Sequence, residues 1–225
     1  MEGSRGVTRK AGLVVLLSGK GSNLQALIEG CRAGRLFADI VLVVSNRPDA
    51  EGLIKAQIAG IPHRVLTFRK SLQSREEYDQ DLARLVGSVQ PDLVILAGFM
   101  QILTSFFLNS FPERVINLHP ALLPEDPESD GIVLPDGTVS PVFRGAHAIR
   151  LALDAGVSHA GCTVHLVTEK VDCGQVIASS LVRIKPGDTE DSLRERIQKE
   201  EHRILPMAVQ TFLQSLSQPA GAPRL

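Results

Sequence analysis

The chain has 225 residues, which at about 150 residues per domain corresponds to one large domain or two small ones. Its composition, 44% hydrophobic and 22% charged, is typical of a globular protein and excludes a disordered or fibrous one. The 24 Lys and Arg residues are balanced by 25 Asp and Glu residues, so the formal net charge of -1 gives no basic excess for binding nucleic acid.

Hydropathy and cysteine usage narrow the class further. No apolar run approaches the roughly 20 residues of a membrane-spanning helix, and Leu13–Leu17 is too short for the apolar core of a signal peptide. We therefore expect a cytoplasmic protein without a membrane partner. Cys31, Cys162 and Cys173 lack the paired spacing of a zinc site or a redox motif, so we expect reduced, structural thiols and no metal.

Short apolar runs alternate with amphipathic stretches through the first half of the chain. Five runs predict strands that are buried on both faces: Gly12–Leu17, Ile40–Ser45, Arg64–Leu66, Leu93–Ala97 and Val115–Leu118. This alternation predicts an α/β, Rossmann-like fold, in which a mostly parallel sheet carries helices on both faces.

One of the intervening helices has recognisable ends. Ser74 and Glu77 have the spacing of a capping box, which opens a helix over Ser74–Gln90, and Pro91 ends it. The apolar residues that share one face of this helix are Tyr78, Leu82, Leu85, Val86 and Val89.

The second half of the chain has a different pattern. Gly161–Val167 and Gln175–Ile184 are joined by a short polar link, which predicts an antiparallel C-terminal edge of the sheet. A long helix follows from Thr189, and Pro206 should kink it. The predicted inner stripe of this helix is Leu193, Ile197, Ile204, Ala208 and Phe212.

These elements predict one domain. We expect it to cover residues 11–216, with flexible tails at residues 1–10 and 217–225, where no periodicity is visible.

A glycine-rich turn ends the first predicted strand. Ser18–Asn23, with the sequence SGKGSN, leads directly into a helical pattern. Glycines allow close backbone approach, and the N–H groups at a helix start bind anions, so the turn predicts a phosphate site. Leu24 occupies the place of the third glycine of the dinucleotide fingerprint, and Lys20 is followed by Gly21 rather than completing a nucleotide P-loop, so both motifs are disfavoured. An ordinary tight turn is the alternative.

The fifth predicted strand delivers two polar side chains at its carboxyl end. Asn117 and His119 point to the same side of the strand, at the edge where open parallel sheets bind ligands. A neutral imidazole can take a proton from an attacking amine, and an amide N–H can stabilise a tetrahedral oxyanion, so the pair suits acyl transfer. The alternative is a histidine satisfied by a backbone carbonyl.

Three other titratable residues give weaker signals. His63 is expected at the surface, and His165, which alternates within a strand, is expected to be a satisfied core residue. Asp172 lies in the polar link between two strands, where its carboxylate could raise the pKa of an imidazole across the cleft. A simple turn aspartate is an equally good interpretation of Asp172.

Four segments together resemble the phosphoribosylglycinamide formyltransferase family. They are SGKGSNLQA (Ser18–Ala26), LAGFMQIL (Leu96–Leu103), NLHPALLP (Asn117–Pro124) and the segment Gly161–Asp172, in one order within residues 11–216. The resemblance implies the formyltransferase fold. It also implies transfer of a formyl group from the co-substrate 10-formyltetrahydrofolate to the amine of glycinamide ribonucleotide, in de novo purine (IMP) biosynthesis, without a metal.

The resemblance further implies roles for individual residues, with small molecules as the only partners and a monomer or homodimer as the assembly. Asn117, His119 and Asp172 would be the catalytic residues. The residues that would bind the ribonucleotide are Gly21, Ser22, Asn23, Gln198, Lys199, Glu200 and Glu201. Those that would bind the folate are Arg75, Met100, Gln101, Ile102, Leu103, Asn117, Thr168, Glu169, Lys170, Val171 and Asp172.

The chain departs from the family pattern in an acidic insertion, Glu125–Pro141. It contains five acidic residues and no Lys or Arg. Ile132–Leu134 and Thr138–Val139 flank a Pro-Asp-Gly turn, which predicts a hairpin. The insertion is interpreted either as a flap beside the active site or as a tolerated surface loop, because long loops cost little free energy.

Two single residues also depart from the family pattern. Arg144 stands where proline is common and resembles the Arg-Gly-Ala of methionyl-tRNA formyltransferases, which weakens the substrate assignment. Gln101 stands where an arginine is common beside the pterin, which could alter folate affinity.

Two classes of alternative stay open. One is another formyl-folate enzyme, either a hydrolase or a formyltransferase with a different amine acceptor, although we expect no room in 225 residues for the additional domains that such enzymes usually carry. The other is a non-catalytic module that binds a phosphate ligand through Gly19–Asn23 alone, against which the presence of Asn117, His119 and Asp172 argues.

Overall fold

The computed structural model describes residues 9–216, which form a seven-stranded sheet, a two-stranded hairpin and six helices. The strands are β1 (Ala11–Leu17), β2 (Ala38–Ser45), β3 (His63–Val65), β4 (Leu93–Leu96), β5 (Val115–His119), β6 (Gly131–Val133), β7 (Val139–Pro141), β8 (His159–Leu166) and β9 (Val176–Arg183). The helices are α1 (Ser22–Arg32), α2 (Glu51–Ile58), α3 (Arg75–Gly87), α4 (Ser105–Ser110), α5 (Ala148–Asp154) and α6 (Glu190–Leu216).

The order of strands in the large sheet creates a crevice at one edge. The order is β3-β2-β1-β4-β5-β8-β9; β1 to β5 are parallel, whereas β8 and β9 are antiparallel to their neighbours. The strand order reverses between β1 and β4, where open α/β sheets bind their ligands. The predicted α/β fold with an antiparallel C-terminal edge is confirmed.

The two faces of this sheet carry separate apolar cores. Along β1, Leu13, Val15 and Leu17 pack with residues of α1, α2 and α6, whereas Val14 and Leu16 pack with residues of α3 and α4. Successive side chains of a strand point to opposite faces, so a continuous apolar run supplies both cores at once. Helices therefore cover both faces, as predicted.

The third strand differs from its prediction. Arg64 and Val65 are exposed, so the expectation that Arg64–Leu66 is buried on both faces is wrong. The reason is position: β3 lies at the edge of the sheet, where only one side of a strand has a neighbour.

Helix α3 confirms the capping signal. Ser74 Oγ accepts a hydrogen bond from the Glu77 amide at 3.1 Å, and Glu77 Oε2 accepts one from the Ser74 amide at 2.7 Å. Of its predicted inner face, Tyr78, Leu82 and Val86 are buried, and Leu85 and Val89 are partly buried against them. The helix ends at Gly87, three residues earlier than predicted, and Gln90 takes a left-handed backbone conformation with φ 47.

The C-terminal half also follows its pattern. The β8–β9 pair is antiparallel, and every residue of the predicted inner stripe of α6 is buried. Pro206 lies inside α6 and faces Gly30 of α1, where a Cβ atom would lie 3.1 Å from the proline ring. The kink at Pro206 stays a prediction.

The acidic insertion is a packed hairpin. Strands β6 and β7 pair in antiparallel fashion, which confirms the predicted hairpin. Leu134 and Ser140, one on each side of the turn, are only 3% and 4% exposed. The insertion is therefore anchored to the domain.

The predicted tails fall mostly outside the described residues, since residues 1–8 and 217–225 are not among them. Arg9 and Lys10, at the end of the predicted leader, pair with Asp92 at 2.7 Å and Asp39 at 2.9 Å. The domain boundaries stay a prediction. Within residues 9–216 no helix has both the length and the apolarity to cross a bilayer. The three cysteines are free thiols.

Substitution of Ser74 by alanine should lower the free energy of unfolding by about 1 kcal/mol, because the Glu77 amide loses its side-chain acceptor at the start of α3. Urea unfolding followed by circular dichroism measures this. Ser71→Ala, an exposed serine in the preceding turn, is the matched control and should leave the midpoint unchanged. Equal losses in both variants would contradict the capping role.

Candidate active site

The turn after β1 and the segment after β4 are joined by hydrogen bonds. The Ser18 amide donates to the Gly98 carbonyl at 3.0 Å, and Ser18 Oγ accepts from the Met100 amide at 2.8 Å. The same hydroxyl donates to Asn46 Oδ1 at 2.6 Å. The predicted phosphate turn and the predicted folate segment therefore lie side by side at the carboxyl edge of the sheet.

The glycine-rich turn has the geometry of an anion site. Gly21 has φ 67, a left-handed conformation, and a Cβ atom there would lie 2.5 Å from Gly52 Cα. Only glycine fits without displacing the backbone of α2. Gly21 precedes α1, whose first N–H groups have no intrahelical acceptor, so the turn presents free donors at the positive end of a helix.

Helix α6 contributes two side chains to this turn. Gln198 Nε2 donates to Ser22 Oγ at 2.9 Å, and Asn23 Nδ2 donates to Glu201 Oε2 at 3.1 Å. Glu201 is 9% exposed, and burial raises the pKa of its carboxyl despite the Asn23 bond. Asn23 Oδ1 is buried and has no hydrogen-bond partner among the described residues, so it remains able to accept from a ligand.

The neighbouring residues of α6 do not face the turn. Glu200 accepts hydrogen bonds from Ser180 at 2.7 Å and from Arg203 at 2.8 Å, and Lys199 is exposed. Each residue of an α-helix turns by about 100°, so Gln198 and Glu201 share a face that the two residues between them leave. The prediction that Lys199 and Glu200 bind the ribonucleotide is therefore not supported by the geometry.

A cluster of polar side chains surrounds the Asp172 carboxylate. Asp172 Oδ1 accepts from Asn117 Nδ2 at 3.4 Å and lies 3.4 Å from His165 Nε2. Asp172 Oδ2 accepts from the Gly145 amide at 2.7 Å and lies 3.4 Å from His119 Nδ1. The structure thus brings together the three residues expected to be catalytic and adds His165.

His165 is the residue of this cluster that the sequence did not indicate. Its expected place in the core is confirmed, since it is 2% exposed, but its ring contacts Asn117 Nδ2 at 3.2 Å as well as Asp172. The β5–β8 register places His165 directly opposite Asn117. Alternation within one strand shows which face a residue is on, but only the pairing register shows what lies beside it.

Both ring nitrogens of His119 are engaged. Nε2 lies 2.7 Å from the Phe143 carbonyl, which can only accept, so this nitrogen carries a proton. Nδ1, on the side of Asp172, is therefore the nitrogen that gains or loses a proton. His119 is thus satisfied by a backbone carbonyl and also belongs to the cluster, and its catalytic role stays a prediction.

Burial and charge oppose each other in this cluster. Burial has the largest effect on His119 and lowers its pKa, although Asp172 and the Phe143 carbonyl favour the charged imidazole. Burial by itself would raise the pKa of Asp172, but the hydrogen bond from His165, the charge of His119 and the Gly145 amide lower it to about 2. The carboxylate is thus ionised at neutral pH beside a predominantly neutral imidazole.

A cleft of about 650 Å³ opens beside the segment after β4. Six of the eleven residues predicted to bind the folate line it: Arg75, Met100, Gln101, Ile102, Leu103 and Glu169. Met100 and Ile102 are 74% and 69% exposed, so the cleft presents apolar surface. Its lining combines these apolar side chains with polar groups of Arg75, Gln101 and Glu169.

Arg75 is held by the cleft wall. Its guanidinium donates to Gln101 Oε1 and to the Ile102 carbonyl, and it lies 5.2 Å and 5.1 Å from the ring centroids of Phe68 and Tyr78. Gln101 thus accepts from the cation, which the arginine common at that position could not do.

Three loop residues lie away from the cleft. Thr168 Oγ1 donates to the Lys170 carbonyl at 2.9 Å, and Lys170 Nζ pairs with Glu128 of the acidic insertion at 3.1 Å. Val171 is 41% exposed. None of the three is a lining residue of the cleft in this structure, so their predicted folate contacts would require the loop to move.

Comparison with known proteins defines the class of this chain. A model of the family described as formyl transferase matches residues 11–209. The chain belongs to the formyl transferase family, and the resemblance found in its motifs is confirmed.

Individual relatives show which members of the formyl transferase family this chain is similar to. Phosphoribosylglycinamide formyltransferase of Escherichia coli strain K12 is 38% identical over 200 residues, covering 89% of this chain and 86% of the relative. The crystal structure of glycinamide ribonucleotide transformylase 1 from Symbiobacterium toebii is similar with a TM-score of 0.81 and 40% identity, over 92% of this chain and 89% of that one.

A longer relative is similar over part of its length only. The trifunctional purine biosynthetic protein adenosine-3 of Gallus gallus is 43% identical over 203 residues, which cover 90% of this chain. The chain spans 18% of the length of that relative.

Within residues 9–216 no group of three or more His, Cys, Asp or Glu side chains is arranged to hold a metal ion.

The depressed pKa of Asp172 makes a prediction about stability in acid. The folded-state pKa of about 2 lies below the usual value, so the contribution is present above about pH 4 and is lost as the pH falls through about 2. Asp172→Asn should remove on the order of 2 kcal/mol of this pH-dependent stability. Chemical unfolding across that pH range measures it, with Asp154→Asn on the surface of α5 as control. An unchanged pH dependence in Asp172→Asn would contradict the ionised cluster.

Proposed function

We propose that this chain transfers the formyl group of 10-formyltetrahydrofolate to the amine of N1-(5-phospho-D-ribosyl)glycinamide, a step of de novo purine synthesis. The observation that carries the proposal is the convergence of Asn117, His119 and His165 on one ionised carboxylate. This cluster lies at the sheet edge that also carries an anion-binding turn and an apolar cleft. The names of the relatives from Escherichia coli and Symbiobacterium toebii support formyl transfer to this acceptor.

The turn after β1 is proposed to bind the phosphate of the ribonucleotide. The left-handed Gly21 and the free N–H groups of α1 provide donors for it. Glu201 would bind the amine end of the glycinamide, since a buried carboxylate needs a donor and Asn23 supplies only one. Gln198 would orient Ser22 for the same ligand.

The cleft beside Met100–Leu103 is proposed to bind the pterin of the folate. Its exposed apolar side chains would stack on the ring, and the backbone groups of the segment would pair with the ring nitrogens. Gln101 and Arg75 satisfy each other, so this pair would shape the wall of the cleft and leave recognition of the ring to the backbone.

The mechanism follows from the protonation states of the cluster. The substrate amine attacks the formyl carbon, which forms a new N–C bond and places negative charge on the formyl oxygen. Asn117 would donate its second amide N–H to that oxygen, because the first faces Asp172 and His165. The C–N bond to the folate then breaks, and the folate nitrogen takes a proton.

His119 is proposed to carry that proton. Its neutral imidazole accepts a proton from the attacking amine, and the imidazolium that forms is stabilised by Asp172 and by the Phe143 carbonyl. Because His119 is 4% exposed, the ring must turn toward the substrates or act through a water molecule. His165 would hold Asp172 in place from the opposite strand.

The feature that favoured a different amine acceptor has a local explanation. Arg144 resembles the arginine of methionyl-tRNA formyltransferases, but its guanidinium donates to the Pro127 and Ser129 carbonyls of the acidic insertion. The guanidinium is therefore engaged in hydrogen bonds to backbone carbonyls of the protein itself. The cytoplasmic location and the monomeric or dimeric state stay predictions from the sequence.

Asn117→Ala should lower turnover about a hundredfold, because one oxyanion donor typically contributes about 3 kcal/mol to transition-state stabilisation. His119→Ala should abolish turnover. The assay follows release of deformylated folate with and without the ribonucleotide, and Asn109→Ala on the exposed surface of α4 is the control. Folate consumption that does not need the ribonucleotide would identify a hydrolase instead, and ligand binding without turnover would identify a binding module.

Glu201→Gln should raise the KM for the ribonucleotide about tenfold, because a hydrogen bond to a charged group is lost, and should leave the KM for the folate unchanged. Glu195→Gln, an exposed glutamate on the same helix, is the matched control. Steady-state kinetics with each substrate varied in turn would reveal it. A rise in the KM for the folate alone would contradict the proposal that Glu201 binds the ribonucleotide.

A further inference from the structure

Three consecutive residues connect the acidic insertion to the polar cluster. The Phe143 carbonyl accepts from His119 Nε2 at 2.7 Å, and the Gly145 amide donates to Asp172 Oδ2 at 2.7 Å. Arg144, between them, sends its side chain in the other direction, to the insertion. Any shift of this short segment moves the acceptor of His119 and the donor of Asp172 together.

The segment has a backbone that needs support. Gly145 has φ 74, and His147, which precedes α5, has φ 67 although it is not glycine. A left-handed conformation is unfavourable for a residue with a side chain, so the surrounding contacts must hold this part of the chain.

Arg144 supplies such a contact. Its Nη2 donates to the Pro127 carbonyl and to the Ser129 carbonyl, both at 3.0 Å, and its side chain is only 23% exposed. Because this one nitrogen contacts two carbonyls, its position is fixed more firmly than a single hydrogen bond would fix it. The ion pair to Asp130, at 3.7 Å from a fully exposed carboxylate, adds little.

The insertion is a suitable anchor for this arginine. It is folded by the β6–β7 pairing, and Val142 donates to the Asp130 carbonyl at 3.1 Å where the insertion rejoins the domain. Its buried Leu134 fixes it to the domain. A second connection runs from Glu128 to Lys170, two residues before Asp172, but both partners are more than 60% exposed and this pair is weak.

We propose that Arg144 is a positioning residue for the transfer reaction, and that the insertion Glu125–Pro141 serves as the support against which it holds Phe143 and Gly145. The inference rests on the proposed function. It gives a structural role to both departures from the family pattern. The insertion provides carbonyl acceptors, and Arg144, which stands where proline is common, donates hydrogen bonds to them. The flap interpretation of the insertion is thereby replaced by a fixed brace.

The test compares Arg144→Met, which keeps the aliphatic stem but removes both bonds, with Arg150→Met, whose exposed guanidinium pairs with Asp154 at 2.9 Å on α5. In Arg144→Met, kcat should fall about tenfold with both KM values within about twofold of the parent, as expected for misplaced reacting groups. Exchange of the Gly145 amide proton, measured by NMR without substrate, should be about tenfold faster. Arg150→Met should change neither.

A second variant separates geometry from charge. Arg144→Lys keeps the charge, but its side chain is one atom shorter and its ammonium ends short of the Nη2 position that contacts both carbonyls, so it should recover only part of the lost turnover. Full recovery would assign the effect to charge and overturn the positioning role, as would unchanged kcat or unchanged Gly145 exchange in Arg144→Met. A parent protein without turnover would contradict the proposed function instead, and the Gly145 exchange would still decide whether Arg144 holds the segment.

Discussion

The buried carboxylate of Asp172 is the interaction on which the site depends. An ionised carboxylate in the interior is tolerated only when polar groups surround it. Here Asn117 of β5 and the Gly145 amide before α5 donate to it, and the His165 ring of β8 lies 3.4 Å away. Each donor is thereby held in turn, because withdrawing it would leave a buried charge unsatisfied. The carboxylate thereby holds β5, β8 and the segment before α5 together in one cluster.

The mixed sheet makes this cluster possible. The parallel strands β1, β4 and β5 bring the glycine-rich turn Ser18–Asn23, the cleft beside Met100–Leu103 and the Asn117–His119 pair to one edge. A further parallel strand would have presented its own carboxyl end there. The antiparallel β8 instead runs back along β5 and places His165 opposite Asn117, in the direct cross-strand position. The change of strand direction is therefore a feature of the site as well as of the fold.

Burial and charge affect the titratable groups differently in the cluster around Asp172 and beside the turn after β1. In the cluster, burial keeps His119 predominantly neutral while Asp172 stays charged, so the imidazole is ready to accept a proton and the resulting cation has a partner. At the turn after β1, burial raises the pKa of the Glu201 carboxyl of α6. An added hydrogen-bond donor would stabilise the charged form of this carboxyl. Asp172 itself, in the link between β8 and β9, has φ 51, so some of the backbone strain of the molecule lies within the cluster.

The sequence by itself determined much of this. Apolar runs predicted the strands, and Ser74 with Glu77 predicted the start of α3. The position of Asn117 and His119 at a strand end indicated the edge of the sheet where we expect the active site. These signals could be read because they are local or periodic. The same local signals failed where neighbours decide the outcome. β3 is exposed because it lies at the edge, and Gln90 lies beyond α3, which ends at Gly87.

Only the tertiary structure decided the partners of individual side chains. The contact of His165 with Asn117 and Asp172 depends on the β5–β8 register, which joins residues 48 apart in the chain. The bonds of Arg144 to the insertion depend on how a hairpin folds back over its own ends. Motifs can specify which residues reach the sheet edge, but hydrogen bonds are short and directional, so their partners are settled only when distant segments are packed together.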